Sequence, residues 1–459
     1  MEIAKTKVQR YEKYKDSGVT WLGDIPEHWK VESFKNILTE RNEKNQPIRT
    51  KEILSLSIDK GVTLYAEKTT NLDRFKDDFS QYKLAYKGDL VLNSMNMIVG
   101  AVGVSDYFGC VSPVYYTYHG GLDNSYTSKF YEYLFRCKTV QGVLYSLGKG
   151  LIAIDRGEGK YNTLRLKVSR DDLRSLRLPF PHLSERTAIV TYLDRKTALI
   201  NQAIDIKQKQ IELLKERRQI LIHKAVTRGL NPNVKLKDSG IEWIGEIPEG
   251  WHLKTLKFLK ANIKNAFVDG PFGSNLKSEH FIEDGNVYVV ESGFITTGVF
   301  INKVFKTISE KHYQTIKRST CNEGDVIIAK IGANYGMAAE LPLLDKKAVV
   351  SGNSLKITLD NSKVLNILFV KLLGLSKTLG GFEEIVNASA QPALSLGGLN
   401  NLKLPIAPID EQPLIAKHID YIESKIATAI SLKEQEIEKL KEYKATLINS
   451  AVTGKIKVC

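Results

Sequence analysis

What this chain lacks narrows its class before anything else. Its four cysteines, Cys110, Cys137, Cys321 and Cys459, lie far apart and form no Cys-x-x-Cys pair. That spacing excludes a disulfide scaffold and a thiolate zinc site, and suits the reduced thiols of a cytoplasmic protein. No uninterrupted apolar run approaches the ~20 residues that span a bilayer. The start, Met1-Glu2-Ile3-Ala4-Lys5, has no apolar stretch, so no secretory leader is expected. A phosphate-binding GxxxxGK[S/T] loop is missing, because Gly148-Lys149 and Gly159-Lys160 have no glycine at the required upstream position. HExxH and GxSxG are absent too. There is no Pro-Pro dipeptide, which excludes the DPPY- or NPPF-type site of amino-methyltransferases. The histidines include no pair at metal-ligand spacing on one helix face. Adjacent acids such as Asp171-Asp172 and Glu383-Glu384 point apart on any regular element and read as solvated. No catalytic residue, metal or bound cofactor is expected in this chain.

What is present is positive charge, length and repetition. Lys and Arg number 66 against 52 Asp and Glu, a surplus of +14 that favours a polyanionic partner, nucleic acid before membrane. The surplus is spread along the chain, as in a folded groove rather than a basic tail. A length of 459 residues exceeds one ordinary core, and an apolar fraction of 42% excludes disorder.

The repetition decides the organisation. Lys15-Asp16-Ser17-Gly18, Trp21, Gly23, Ile25-Pro26-Glu27 and Trp29 return as Lys237-Asp238-Ser239-Gly240, Trp243, Gly245, Ile247-Pro248-Glu249 and Trp251. All four tryptophans of the protein lie in these two straps, residues 14–29 and 236–251. Shared residues suit a shared structural role, so core or hinge packing is expected of Trp21, Trp29, Trp243 and Trp251 rather than base stacking. A second element also recurs: Leu178-Pro179 matches Leu404-Pro405, and Ala225-Val226-Thr227 matches Ala451-Val452-Thr453. Between strap and helix the halves diverge, with one echo: Gly88-Asp89-Leu90-Val91-Leu92 parallels Gly324-Asp325-Val326-Ile327-Ile328, and Gly100 aligns with Gly336. Apolar runs entered from a Gly-Asp turn predict buried strands. Short helical patches are expected over 128–141 and 364–373.

Neither Pro nor Gly interrupts 185–228 or 414–453, so each predicts a helix of roughly 60 Å or more. Ser184 and Asp410 are placed at the N-caps. Heptad-spaced seams follow: Ile200, Ile204, Ile211, Leu214 and Leu221 in the first helix; Ile426, Ile430, Ile437, Leu440 and Leu447 in the second. Lys207 with Lys433, and Arg218 with Lys444, interrupt them, either fixing register or extending to the edge. Chain order suggests an antiparallel pair acting as a spacer. The fold class expected is therefore α/β (α+β), with two mixed recognition domains, two long antiparallel coiled-coil helices and an internal pseudo-two-fold repeat. The domains are read as 1–177 and 231–403, and the helical segments as 178–230 and 404–459.

The straps and the helix starts (Leu178 to Arg186; Leu404 to Gln412) make the chain resemble a specificity subunit of a type I restriction–modification enzyme, over essentially its full length. The starts depart mildly from the family pattern, with Glu185-Arg186-Thr187 in the first half and Glu411-Gln412-Pro413 in the second. The resemblance implies two target-recognition domains, each reading half of a split site in double-stranded DNA. It implies helices that set the gap and dock two modification (methyltransferase) subunits. Those partners would methylate adenine with S-adenosylmethionine, and restriction (translocase/nuclease) subunits using ATP and Mg would join that core; none of these cofactors is expected on this chain. The rival readings are a coiled-coil scaffold or adaptor that never meets DNA, and a stand-alone DNA-modifying enzyme.

Candidate readers are polar residues in glycine-flanked loops: Asn93, Ser94, Asn96, Arg156 and Lys160 in the first half. In the second they are Ser274, Asn275, Lys277, Arg318, Lys330, Asn334, Tyr335 and Gln391. Asn suits adenine, and Arg or Lys suits guanine. The same residue types also serve as plain turns. Residues 1–177 hold ten arginines, whereas 231–403 hold only Arg318. The second half-site is therefore expected to depend less on Arg–guanine contacts, using Lys, Asn, Gln391 or Tyr335.

Overall fold

The duplicated strap folds into the same β-hairpin twice. In the computed structural model, Tyr14–Asp16 pairs antiparallel with Asp24–Pro26, and Leu236–Asp238 pairs with Glu246–Pro248 in the equivalent register. Each motif residue has a local task. Asp16 and Asp238 accept the N–H of Gly18 and Gly240 at 2.9 Å, closing Asx turns. Gly18 and Gly240 have φ of +64° and +70°, a left-handed backbone that a Cβ disfavours. The structure describes residues 9–68, 78–120, 125–151, 165–271, 273–295, 299–383, 385–386 and 392–458.

Past the strap, Lys30–Ser33 pairs with Arg177–Phe180, and His252–Thr255 pairs with Lys403–Ile406. The Leu-Pro motif lies on these closing strands, with Leu178 opposite Glu32 and Leu404 opposite Lys254. A chain segment of more than a hundred residues thus leaves and returns through one two-stranded stem in each half.

The weak echo between the halves is a shared sheet. In the first half the antiparallel strand order is Thr39–Glu40, Tyr115–His119, Leu90–Asn93, Val102–Val104; in the second it is Phe267–Asp269, Ser354–Ile357, Val326–Ala329, Ala338–Glu340. The central strand is buried on both faces. Leu90 and Leu92 face one core while Val91 faces another, and Val326 and Ile328 are separated from Ile327 and Ala329 in the same way. Period-2 geometry with a core on either side explains the uninterrupted apolar run. The preceding acids are buried and paired. Arg41 Nε donates to Asp89 at 2.7 Å, and Lys356 Nζ donates to Asp325 at 3.2 Å. The second half adds a five-stranded sheet containing one parallel pair, Val287–Val290 with Lys347–Val350.

Five helices matter here: α1 (Ser125–Phe135), α2 (Lys138–Leu147), α3 (Leu183–Arg228), α4 (Asn366–Thr378) and α5 (Gln412–Val452). The first expected patch is thus two helices, broken at Arg136-Cys137. Both predicted caps shift. Ser184 lies in the first turn of α3 rather than at its cap, and α5 starts two residues after Asp410. In α3, Glu185 and Arg186 both donate their N–H to His182 O, which draws the chain into helix earlier; in α5, Leu414 and Ile415 donate to Glu411 O, which starts the helix later.

The chain divides into two units, residues 1–208 with 434–459, and residues 209–433. Both long helices contribute to each. In the first unit Leu193 and Ile200 of α3 share a core with Leu447, Ala451 and Val452 of α5; Ile204 and Leu440 pack against it. In the second, Ile222, Ala225 and Val226 of α3 share a core with Ile415 and Ile419 of α5. In each unit the start of one helix lies against the end of the other, so the pair is antiparallel. Ile211, Ile426 and Ile437 are buried; Leu214, Leu221 and Ile430 are half-buried. Of the seam cations, Lys207 meets Glu436 at 2.5 Å and Lys444 donates to Asn201 Oδ1 at 2.8 Å, both within the first unit. Such pairing is register-specific. Burial, and then the Arg136 charge, hold the Lys444 ammonium below its usual range.

Candidate nucleic-acid interface

Where each candidate residue points is set by how its loop leaves the shared sheet. After the central strand of the first half, Asn93 turns inward: it is 7% exposed and its Oδ1 accepts the N–H of Met95 at 3.0 Å and Asn96 at 3.3 Å. Ser94 is fully buried, and its carbonyl accepts the Val168 N–H at 3.0 Å. These two hold the turn and do not face outward, because an Asx turn consumes the side chain that base reading would need. Asn96 is exposed, just before Met97–Val99 and the left-handed Gly100. Arg156 and Lys160 lie outside the described residues.

The second half places different residues on the same skeleton. Lys330 leaves the equivalent strand where Ser94 leaves the first. Its backbone is fixed from two sides: its N–H donates to Asn353 O, and its carbonyl accepts the Leu394 N–H, each at 2.9 Å. Asn334 is exposed, and Tyr335 is half-buried beside Phe382 with Lys377 Nζ 5.0 Å from its ring centre. Ser274, Asn275 and Lys277 are exposed. Their loop is held by the His312 ring nitrogen against Asn275 O at 2.9 Å, and by the Lys277 N–H donating to His280 Nδ1 at 2.9 Å. The two imidazoles stack, centres 3.9 Å apart. Gln391 lies outside the described residues.

Two candidates chosen separately from the sequence are brought together. Arg318 Nη2 and Lys330 Nζ each lie 3.5 Å from a different oxygen of Asp269. Sequence reasoning missed Asp269; the only signal was an acid at a strand end, directly before Gly270-Pro271. It also missed the His280–His312 stack, which joins residues far apart in the chain.

The straps do not offer their rings to a ligand. Trp29 is fully buried and Trp251 is 2% exposed, while Trp21 and Trp243 pack half-buried against the two main cores. The Trp29 indole N–H donates to Glu185 Oε2 at 2.9 Å, and the Trp251 N–H donates to Glu411 Oε2 at 3.3 Å. Strap and helix start are therefore one tied unit. Gln412 of the second start is also buried; it donates to the carbonyls of Lys363 and Ala407 and accepts the Leu365 N–H. In the second unit a cleft of about 880 Å³ opens beside Ile220, Trp243 and Leu379. Glu216, Glu242 and Glu383 also line it, which repels phosphate.

Among the described residues no group of three or more His, Cys, Asp or Glu is placed to hold a metal ion, and no helix is long and apolar enough to cross a membrane. Residues 273–442 match the type I restriction modification DNA specificity domain. Over its whole length the chain is similar to a putative type I restriction enzyme MjaX specificity subunit of Methanocaldococcus jannaschii, at 24% identity and 96% coverage of both chains. It is also similar to the type I restriction enzyme MjaVIII specificity subunit of the same organism, at 24% identity over 63% of this chain and 64% of that one. Among solved structures, one concerned with complex assembly and conformational transition of the type I R-M system matches with a TM-score of 0.65 at 14% identity. That match covers 93% of this chain and 98% of that one. The HsdS subunit from Thermoanaerobacter tengcongensis matches with a TM-score of 0.54 at 12% identity, over 94% and 98%. The region that matches the specificity domain thus lies on a fold shared with these structures.

Proposed function

We propose that this chain is the DNA sequence-specificity subunit of a type I restriction–modification complex, reading a two-part site and leaving the chemistry to partner chains. One observation carries the reading. The same strap, stem, sheet and helix recur in both halves, while the residues at equivalent turns differ: exposed Asn96 stands against Gly332, and buried Ile98 against exposed Asn334. A constant frame with exchanged outer residues is what two readers of unlike half-sites require. A scaffold would have no use for that divergence.

The partner chains are modification subunits using S-adenosylmethionine, joined by ATP-dependent restriction subunits. Support comes from the outer face of α3. Leu199 and Ile206 in the first unit are 51% and 50% exposed, and Leu213 and Ile220 in the second are 63% and 47% exposed. They recur at a seven-residue spacing, and such exposed apolar side chains suit a partner contact in each unit. The equivalent positions of α5 are Lys425, Leu432, Lys439 and Thr446, so the two helices offer partners unlike surfaces.

The test is genome-wide mapping of methylated adenine with and without this gene. A split motif should vanish with the gene, and replacing residues 231–403 should change one half of it only. Methylation by the pure chain alone, or a motif untouched by the replacement, would defeat the proposal.

A further inference from the structure

We infer that Asp269 is a positioning residue for sequence reading in the second half, holding Arg318 and Lys330 as one oriented pair of donors; this rests on the DNA-reading function proposed above. Asp269 ends the strand Phe267–Asp269, and its side chain is 11% exposed. Its backbone is clamped. The carbonyl accepts Ser319 Oγ at 3.1 Å, and the following Gly270 donates to Ser354 O at 3.0 Å. A Cβ on Gly270 would fall 1.9 Å from Ser351 O, so this close approach is open only to glycine. The carboxylate therefore has little freedom to swing away.

Two cations from different elements meet it. Arg318 comes from the short turn Lys317–Ser319 and Lys330 from the end of the central strand, each with a nitrogen 3.5 Å from the carboxylate. The Arg318 side chain is 62% exposed, so the pair adds little to stability. Its consequence is orientation. A free arginine loses much rotamer freedom on binding, whereas one already held by a fixed carboxylate loses less. The two cations exceed the one acid by a single charge, and Arg318 keeps guanidinium donors not used by Asp269. Those donors suit the O6 and N7 acceptors of a guanine edge. A phosphate offers similar acceptors but carries no sequence information. The assignment is to base reading at one position, compatible with a half-site that otherwise depends little on arginine.

The experiment selects bound duplexes from a random-sequence library with the full chain in complex with its modification subunits, for wild type and Asp269→Asn. Preference at one base pair of the second half-site should fall about tenfold. The first half-site and the melting temperature should stay unchanged. Arg318→Gln, on the exposed side of the pair, and Lys330→Gln should each weaken preference at the same base pair. An unchanged motif in Asp269→Asn overturns the inference. So does an equal loss of affinity for every sequence with a shallower salt dependence, the sign of a phosphate contact. If Asp269→Asn fails to fold, intact motifs in both cation variants overturn it instead. If wild type itself selects no motif, it is the underlying function that fails.

Discussion

The indole N–H of Trp29 donates to Glu185 Oε2 at 2.9 Å, joining the strap to the start of the long helix α3. Glu185 is 8% exposed and also receives Tyr11 Oη at 2.5 Å, with the His28 ring nitrogen at 3.0 Å. The counterpart Trp251–Glu411 bond is longer, at 3.3 Å, and Glu411 is exposed, with Gly250 standing where the first strap has His28. Trp29→Phe should therefore destabilise the protein more than Trp251→Phe, by about 1 kcal/mol, because it strips a donor from a buried carboxylate. Equilibrium denaturant unfolding of both variants measures the difference. Equal losses would mean that only ring volume matters.

Each long helix is followed by a left-handed glycine packed close to a strap tryptophan. Gly454 has φ +75°, and a Cβ there would meet Pro26 Cδ at 2.4 Å and a Trp29 ring carbon at 3.1 Å; at Gly229 the nearest atom is a Trp251 ring carbon at 3.2 Å. Gly454→Ala should cost more than about 1 kcal/mol, combining backbone strain with overpacking. Gly250→Ala, with open space around it, should stay within about 0.5 kcal/mol of wild type. Thermal unfolding of the two variants checks the contrast.

Lys207 and Glu436 hold the register of the helix pair in the first unit at 2.5 Å, with side chains 25% and 46% exposed. Lys207→Glu should weaken the pairing, and adding Glu436→Lys should restore much of it. The expected coupling in a double-mutant cycle is about 0.5 kcal/mol, discounted for solvent screening. Additive effects of the two changes would show that the lysine merely extends to the edge.

His223 sits half-buried on α3 with Nε2 3.2 Å from Trp243 O. Burial foremost, and then the Arg228 charge, lower its pKa in the folded protein. The unfolded chain then binds the proton more readily. Its contribution to stability is full above the ordinary histidine pKa of ~6.5 and is lost as pH falls through the lowered folded value. His223→Gln should flatten part of the stability loss between about pH 7 and pH 5. An unchanged pH profile would count against a neutral, buried imidazole.

Much of the candidate site could not be read from local sequence. Asn93 and Ser94 look like Asn334 or Ser274 in the sequence, polar and glycine-flanked, yet the first pair is buried and the second exposed. An Asx turn and a base reader use the same residue types; only the direction in which the chain leaves the sheet separates them. Asp269 gave only the weak signal of an acid before Gly270-Pro271, since its partners lie 49 and 61 residues further along the chain. The thiols were easier. Cys110, Cys137 and Cys321 are buried, and burial pushes Cys110 up to about 11 and Cys137 up to about 12.

Repetition and periodicity, by themselves, determined the straps, the two long helices, their seams and the paired halves. These are properties of spacing, and a heptad or a duplicated motif survives in the linear text. Tertiary structure alone decided which cation met which carboxylate, that Trp29 answers to Glu185, and that the end of α5 returns to the first strap through Gly454 and Lys455, whose ammonium binds Leu22 O at 3.2 Å. Those contacts join residues tens to hundreds of positions apart. Only the folded path of the chain brings them within the few ångströms over which hydrogen bonds and packing act.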